Sequence, residues 1–376
     1  MKIAGEQQHF VKNLLKWNLK FNNRQMPWKG EKDPYKIWLS EIILQQTRVD
    51  QGLEYYNRFV IQFPTVTDLA NASETIVFKL WEGLGYYTRC KNLIATARYI
   101  SNELNGKFPD QYEDILALKG IGPYTAAAIG SFAFNLPHAV VDGNVFRVLS
   151  RYFAIATPTD STEGKKFFTK LANELIDKKL PGIYNQAIMD FGAVICKPQL
   201  PLCASCILGD TCIAYNNELV QQLPIKEKSI KKTARWLYYL VIEMGDTLFV
   251  RKRGAGDVWE NLYEFVVKQS AHPLDLTSED AISLLTDVLS KKKFEIVNIS
   301  PVYKQLLTHQ IIQGQFIYIK MKQEIKLKNY EIIPKTELNQ LPFPKFISIY
   351  LKDKNVSLNL CDFKKNQHSI ELIPTT

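Results

Sequence analysis

Four cysteines, a pair of glycines and two carboxylates carry most of the chemistry open to this chain. Cys196, Cys203, Cys206 and Cys212 stand in the pattern C-x6-C-x2-C-x5-C. Disulfides are rare in the reducing cytosol, so thiols crowded this closely read as ligands. Four thiolates can surround a cubic 4Fe–4S cluster, each sulfur taking one iron corner. They can also close a tetrahedral zinc site. Zinc ribbons usually pair two short C-x2-4-C units, and here only Cys203 and Cys206 have that form. Cys90 and Cys361 stand apart and read as ordinary buried thiols.

Gly120-Ile121-Gly122 lies between two helical stretches. Two glycines one residue apart let the backbone turn sharply and point its N–H groups outward. Next to a helix N-terminus, such N–H groups suit a DNA phosphate oxygen, although a plain helix–helix turn has the same sequence. Asp142, followed by Gly143 and Asn144, reads on residue type alone as the cap of a helix. Glu41 falls in IWLSEIILQQT, where Ile37, Trp38, Ile42 and Leu44 recur at helical spacing.

The elements that must position these groups divide the chain in two. Residues 1 to about 190 read as successive helices, the first clear start being Asp33 as cap with Pro34 behind it. Glycines 83, 85, 106, 120 and 122 punctuate them. NNELVQQLPIKEKSIKKTAR is polar and lysine-rich, as a linker would be. Beyond it, WLYYLVIEMGDTLFVRKR reads as two strands joined across Gly245-Asp246, and QFIYIKM as another. The expected fold is therefore mainly α over residues 1–216, a linker over 217–233 and an α+β domain over 234–376. A net charge of +9 and a pI near 9.0 suit a polyanionic partner. No run of about 18 apolar residues occurs, and the N-terminus lacks a secretory pattern, so a cytosolic protein is expected.

Over nearly all of its first 215 residues the chain resembles the helix-hairpin-helix, endonuclease III-like glycosylases. The cysteine spacing matches the 4Fe–4S loop that closes their helical domain. Asp142 occupies the place of their aspartate, which stabilises the positive charge that builds on the sugar as an N-glycosidic bond breaks. Asn144 would hold the same turn. Members that also cut the strand carry a lysine nucleophile just after the hairpin. Tyr124 stands there and forms no Schiff base, which implies hydrolysis by water. Phe146 likewise stands where some relatives have lysine.

Leu39-Ser40-Glu41-Ile42-Ile43-Leu44-Gln45-Gln46-Thr47 resembles the LSE-xx-LQQT signature of MutY-type adenine glycosylases. The resemblance makes Glu41 the acid that protonates adenine at N7, a role favoured by desolvation of its charged form. Gly83-Leu84-Gly85-Tyr86-Tyr87-Thr88-Arg89 is close to the GLGYY-xR segment of that family. It implies that Gln46 and Tyr86 wedge into the duplex beside an extruded base, with Gly120 and Gly122 on the backbone.

The second half resembles the Nudix-like C-terminal domain of the same family. Asp257 to Phe265 matches its strand motif, with Asn261 where glycine is usual, and no REx2EE helix for magnesium follows. Leu306 to Gln310 falls in an expected hairpin and resembles the F-S-H loop that reads 8-oxoguanine, with Leu307 and Thr308 in place of Phe and Ser. Thr308 and His309 keep hydrogen-bonding groups there. The implied partner is double-stranded DNA with adenine opposite 8-oxoguanine or guanine, bound by a monomer. The competing expectations are a monofunctional glycosylase for thymine in G·T mismatches and a non-catalytic DNA-binding iron–sulfur protein.

Overall fold

A computed structural model describes residues 2–26, 29–227, 232–276, 285, 288–289 and 292–353. Its contacts group the chain into two compact units, Met1–Asn71 with Lys91–Ser229, and Ala72–Cys90 with Ile230–Thr376. Residues 72–90, which precede the linker in sequence, thus belong with the C-terminal unit. Among the described residues no helix is long and apolar enough to cross a membrane. Cys90 is buried, as expected, and Cys361 lies outside the described residues.

The first unit is helical, as its periodicity implies. One core joins helix Lys2–Phe21, through Phe10, Leu14 and Trp17, to helix Gly143–Tyr152, through Val145, Val148, Leu149 and Tyr152. Phe168, Ala172 and Leu175 of helix Thr162–Leu175 complete it, with Tyr184, Ala187, Ile188 and Phe191 of helix Pro181–Val194. Steps of three and four between these residues put each set on one helix face.

Helix Pro34–Leu44 starts as its sequence requires: Asp33 accepts from the Tyr35 N–H at 2.9 Å, and Pro34 needs no partner at the first turn. Almost all of this helix is buried, including the polar Ser40 and Glu41. Helix Tyr112–Ala117 and helix Pro123–Phe134 flank the hairpin. Gly120 has φ +78, and a Cβ there would lie 2.6 Å from Asn92 Cβ. Both conformation and space therefore demand glycine. Gly122 has ordinary extended φ and serves as cap for helix Pro123–Phe134.

The second unit is built on a mixed sheet, seven-stranded among the described residues: β1 (Thr233–Met244), β2 (Thr247–Lys252), β3 (Tyr263–Ser270), β4 (Phe294–Ile299), β5 (Tyr303–Leu306), β6 (Gln310–Met321) and β7 (Glu331–Pro334). The order is β4-β6-β1-β3-β2-β7, with β5 also on β6. β1 and β2 meet across Gly245-Asp246, as the sequence indicates. β1 runs parallel to β6 and is covered on both faces, which is why its sequence is apolar without alternation. Tyr238, Leu240 and Ile242 pack on one side with Ile317 and Ile319. On the other, Tyr239 stacks near Phe316, which stacks on Tyr350 of helix Lys345–Lys352 at 3.9 Å.

The motif Asp257 to Phe265 is a strand only from Tyr263 onward. Asp257 to Leu262 form a turn, because the Asn261 N–H returns to the Arg253 carbonyl at 3.1 Å and Asn261 adopts φ +70. Asparagine is the residue that most readily replaces glycine in that left-handed conformation, which accounts for the departure from the family pattern.

Replacing Gly120 by alanine is expected to destabilise the protein by about 1–3 kcal/mol, from backbone strain and the Asn92 clash together. Asn261→Gly should be close to neutral and Asn261→Val should cost about 1–2 kcal/mol. Thermal melting of the three variants checks both positions.

Candidate active site

The core just described carries helix Gly143–Tyr152, whose N-terminus holds Asp142. The Asp142 Oδ1 accepts from the Asn144 and Val145 N–H groups at 2.9 and 2.8 Å, and Oδ2 accepts from Asn144 Nδ2 at 2.8 Å. Asp142 is thus the helix cap that its residue type suggests, and it faces the groups that chemistry requires. Burial pushes its carboxyl above the usual range, and the Val145 and Asn144 donors pull it back.

Glu41, 8% exposed, projects from the buried helix Pro34–Leu44 toward the same place. Its carboxyl is pushed up from 4.5 to about 7, first by burial, against a hydrogen bond with Tyr124, and with Asp142 adding to the rise. Burial and the two neighbouring carboxyls hold the Tyr124 hydroxyl in its neutral form, and its oxygen also lies 3.5 Å from Met189 Sδ. The structure therefore brings Glu41, Tyr124, Asp142 and Asn144 together. A cavity that includes Glu41 is lined further by Asn18, Lys29, Ser131 and Gln186.

Two arginines that sequence reading missed hold this turn to the cysteine loop. Arg147 Nη2 donates to Asn144 Oδ1 at 2.8 Å and to Gly192 O at 2.7 Å, while its Nε donates to Cys196 O at 2.7 Å. Arg151, 3% exposed, donates to the carbonyls of Lys197 (2.7 Å), Pro198 (3.2 Å) and Leu223 (3.0 Å). Their spacing of four, on a helix whose neighbours are apolar, is the signal that could have found them.

Cys196, Cys203, Cys206 and Cys212 line one small cavity, partly open to solvent, with Val148, Arg151 and Leu208. Among the described residues no group of three or more His, Cys, Asp or Glu side chains is arranged to hold a single metal ion. The four thiols instead surround a space. Burial, then their own crowding, pushes Cys203 up, and Cys206 rises to about 12 with burial the leading cause.

In the second unit, Tyr86 Oη lies 3.1 Å from Thr308 Oγ1. Leu307 N–H donates to Gln310 O at 2.8 Å and closes the expected hairpin between β5 and β6, while the His309 carbonyl accepts from the Thr233 N–H at 3.0 Å. Gln46 belongs to the first unit. Gln46 and Tyr86 both hold left-handed backbone, φ +55 and +51, which costs a non-glycine residue about 1–2 kcal/mol. Such strain often marks functional positions.

Residues 39–174 match the HhH-GPD superfamily of base excision DNA repair proteins. The adenine DNA glycosylase of Buchnera aphidicola subsp. Baizongia pistaciae is 35% identical over 317 residues, which cover 82% of this chain and 86% of that protein. This chain belongs to the adenine DNA glycosylase family. The human adenine DNA glycosylase is 40% identical over 229 residues, 58% of this chain and 42% of its own. Among solved structures, a thermostable thymine-DNA glycosylase superposes with TM-score 0.54 and 29% identity, over 58% of this chain and all of that one. The protein is thus a DNA glycosylase of base excision repair, and base choice has to be sought in side chains on a shared scaffold.

For this adenine DNA glycosylase family member, single-turnover excision should follow a bell in pH. Its acid limb belongs to ionisation of Asp142, above the ordinary aspartate range, and its alkaline limb to loss of the Glu41 proton near pH 7. A flat profile between pH 6 and 8.5 would remove Glu41 as the acid. The same shift has a stability consequence. A carboxyl raised from 4.5 to about 7 on folding contributes fully below pH 4.5, and that contribution is lost as pH rises through 7. Glu41→Gln should therefore lose excision yet melt at higher temperature than wild type at pH 8, by up to about 3 kcal/mol of stability. Asp142→Asn should keep the helix cap, since asparagine caps as well as aspartate, while single-turnover excision falls sharply.

Proposed function

We propose that the protein hydrolyses the N-glycosidic bond of adenine mispaired with 8-oxoguanine or guanine, without cutting the strand. The observation that carries this reading is the buried Glu41 carboxyl, raised to about 7, beside Asp142. Adenine leaves poorly as an anion, so an acid near N7 lowers the barrier. Departure leaves an oxocarbenium-like sugar, and Asp142, anchored by three donors, supplies the opposing charge without having to move. Tyr124, neutral and beside Glu41, aligns the acid and offers no amine for a Schiff base. Water then completes the reaction.

The base must first leave the duplex. Gly120 and Gly122 present the hairpin N–H groups to a phosphate, and Gln46 and Tyr86 offset part of the lost stacking. Thr308 and His309 of the Nudix-like second unit read the edge that distinguishes 8-oxoguanine from guanine. The contact between Tyr86 and Thr308 supports this division, since the two side chains assigned to it meet within the second unit.

The donor set of the cysteine cavity fits a 4Fe–4S cluster held by Cys196, Cys203, Cys206 and Cys212. Four soft thiols around one space suit a shared cationic centre. Bound there, the cluster would supply cross-linking of the loop, whose carbonyls Arg147 and Arg151 grip.

Duplexes holding adenine opposite 8-oxoguanine, guanine, cytosine or thymine test the reading, with a G·T duplex for the thymine alternative. Excision confined to adenine, with the abasic strand intact until alkali or heat, is expected. Spontaneous nicking would contradict the role given to Tyr124. Anaerobically purified protein should carry about four irons per chain, and zinc without iron would overturn the cluster. A Thr308→Ala/His309→Ala protein should lose about 1–3 kcal/mol of discrimination between 8-oxoguanine·A and G·A. Specificity constants on both duplexes decide it, and an unchanged ratio would move lesion reading elsewhere.

A further inference from the structure

Tyr86 and Thr308 meet through exposed hydroxyls, 3.1 Å apart. Water competes well for such a pair, so it cannot by itself hold a wedge residue beside a reading hairpin. What lies beneath each of them can. Both belong to the second unit, Tyr86 in the turn that follows helix Glu74–Trp81 and Thr308 in the hairpin that follows β5.

Helix Lys345–Lys352 touches both supports. Toward Tyr86, Ser348 Oγ donates to Glu82 Oε1, the carboxylate of the residue that ends helix Glu74–Trp81. Oγ also lies 3.2 Å from Pro344 O, the usual acceptor of a helical serine, and its single proton goes to the charged acceptor, which is the stronger. Glu82 Oε2 pairs with Lys79 Nζ at 2.5 Å, and the same ammonium donates at 2.9 Å to the carbonyl of Leu341, just before helix Lys345–Lys352. Toward Thr308, Tyr303 of β5 packs edge-on to Tyr350 with ring centres 6.1 Å apart, and its hydroxyl donates to Asp353 Oδ2 at 2.5 Å. One short helix thus holds the strand that leads into the hairpin and the residue that leads into the wedge.

From Glu82 to Tyr86 the chain has little freedom. The buried Trp81 donates from Nε1 to Gly85 O at 2.9 Å, and the Gly83 N–H donates to Tyr87 Oη at 3.3 Å. Arg89 Cζ lies over the rings of Trp81 and Tyr86, 5.3 and 5.2 Å from their centres. A displacement of Glu82 is therefore passed on to Tyr86. We propose that Glu82, gripped by Ser348, is a positioning residue that sets Tyr86 against Thr308 and His309, so that the preference for adenine opposite 8-oxoguanine over adenine opposite guanine depends on it. This rests on the wedge and reading roles given above. On a G·A duplex the hairpin has no lesion edge to bond, so its register to Tyr86 matters less there.

The test compares specificity constants on 8-oxoguanine·A and G·A duplexes for wild type, Ser348→Ala, Ser348→Thr, Glu82→Ala and the Glu82→Ala/Ser348→Ala pair, with thermal melting alongside. Ser348→Ala should lower the ratio of the two constants about tenfold, with the loss falling on 8-oxoguanine·A. Ser348→Thr, which keeps the hydroxyl, should restore it. Glu82→Ala should lower the ratio at least as far, and the pair should go no lower than Glu82→Ala, since both act through one contact. If Glu82→Ala does not fold, Ser348→Ala and its threonine rescue decide the matter. An unchanged ratio in Ser348→Ala, an equal fall on both duplexes, or a pair whose loss combines the two single losses in full would overturn the inference. A wild type that removed no adenine, or showed no preference for 8-oxoguanine·A, would defeat the functional reading before any variant was compared, whereas a wild-type preference kept by every variant would defeat this inference alone.

Discussion

Two carboxyl groups, Glu41 and Asp142, share one poorly hydrated place. Burial raises both, and Asp142 further opposes ionisation of Glu41. What separates them is hydrogen bonding. Asp142 sits at a helix N-terminus and receives two backbone N–H groups and an amide. Glu41 lies inside a helix whose own N–H groups are committed, and Tyr124 is the partner that modifies its acidity. The Glu41 carboxyl is thus displaced from its ordinary value by an amount worth about 3 kcal/mol. How each carboxyl titrates follows from where its side chain leaves the backbone.

That arrangement works only if the Asp142 turn is held still, and the cysteine loop contributes to holding it. Arg147 spends its donors on Asn144, Gly192 and the Cys196 carbonyl, so the loop and the turn are joined through one guanidinium. Arg151 does the same for Lys197 and Pro198 one helical turn later. Carbonyls of an irregular loop form a receptor for two arginines only when the loop has one conformation. Ordering the loop by its thiols therefore acts on Asp142 through Asn144. Gly192 enters the same linkage sterically: a Cβ there would lie 2.7 Å from Asn144 Cβ, so the helices approach at glycine.

Much of this is legible in the residues. Asp33-Pro34 specifies a helix start, the glycine hairpin specifies its turn, and the four closely spaced cysteines are drawn to one cavity. These signals are local, with cause and effect a few residues apart. The partners of Arg147, Arg151 and Asp190 are harder to read. A charged residue reads as solvent-facing unless its partner is known, and besides near ones such as Asn144 and Gln186, theirs lie 45 to 168 residues away. The place of residues 72–90 in the second unit is hidden for the same reason, since the glycine-rich segment around Tyr86 shows no preference for either half. The turn over Asp257 to Leu262 reads as strand because the segment resembles the family's strand motif. The left-handed Asn261 decides otherwise, and only backbone geometry reveals it.

The likeness to a thymine-DNA glycosylase over 58% of the chain means that the helical scaffold does not itself choose the base. What the scaffold does hold is a buried carboxyl, Asp142, fixed at a helix N-terminus by backbone N–H groups. Choice must come from groups that differ in donor and acceptor sense, because purines of one shape differ only there. An acid at a ring nitrogen that purines share, as proposed for Glu41, would act without deciding between amino and oxo forms. A carboxamide decides between them only if it cannot rotate, since a free one satisfies either. The Gln186 carboxamide, which lines the cavity with Glu41, has its donor end held by the buried Asp190 carboxylate.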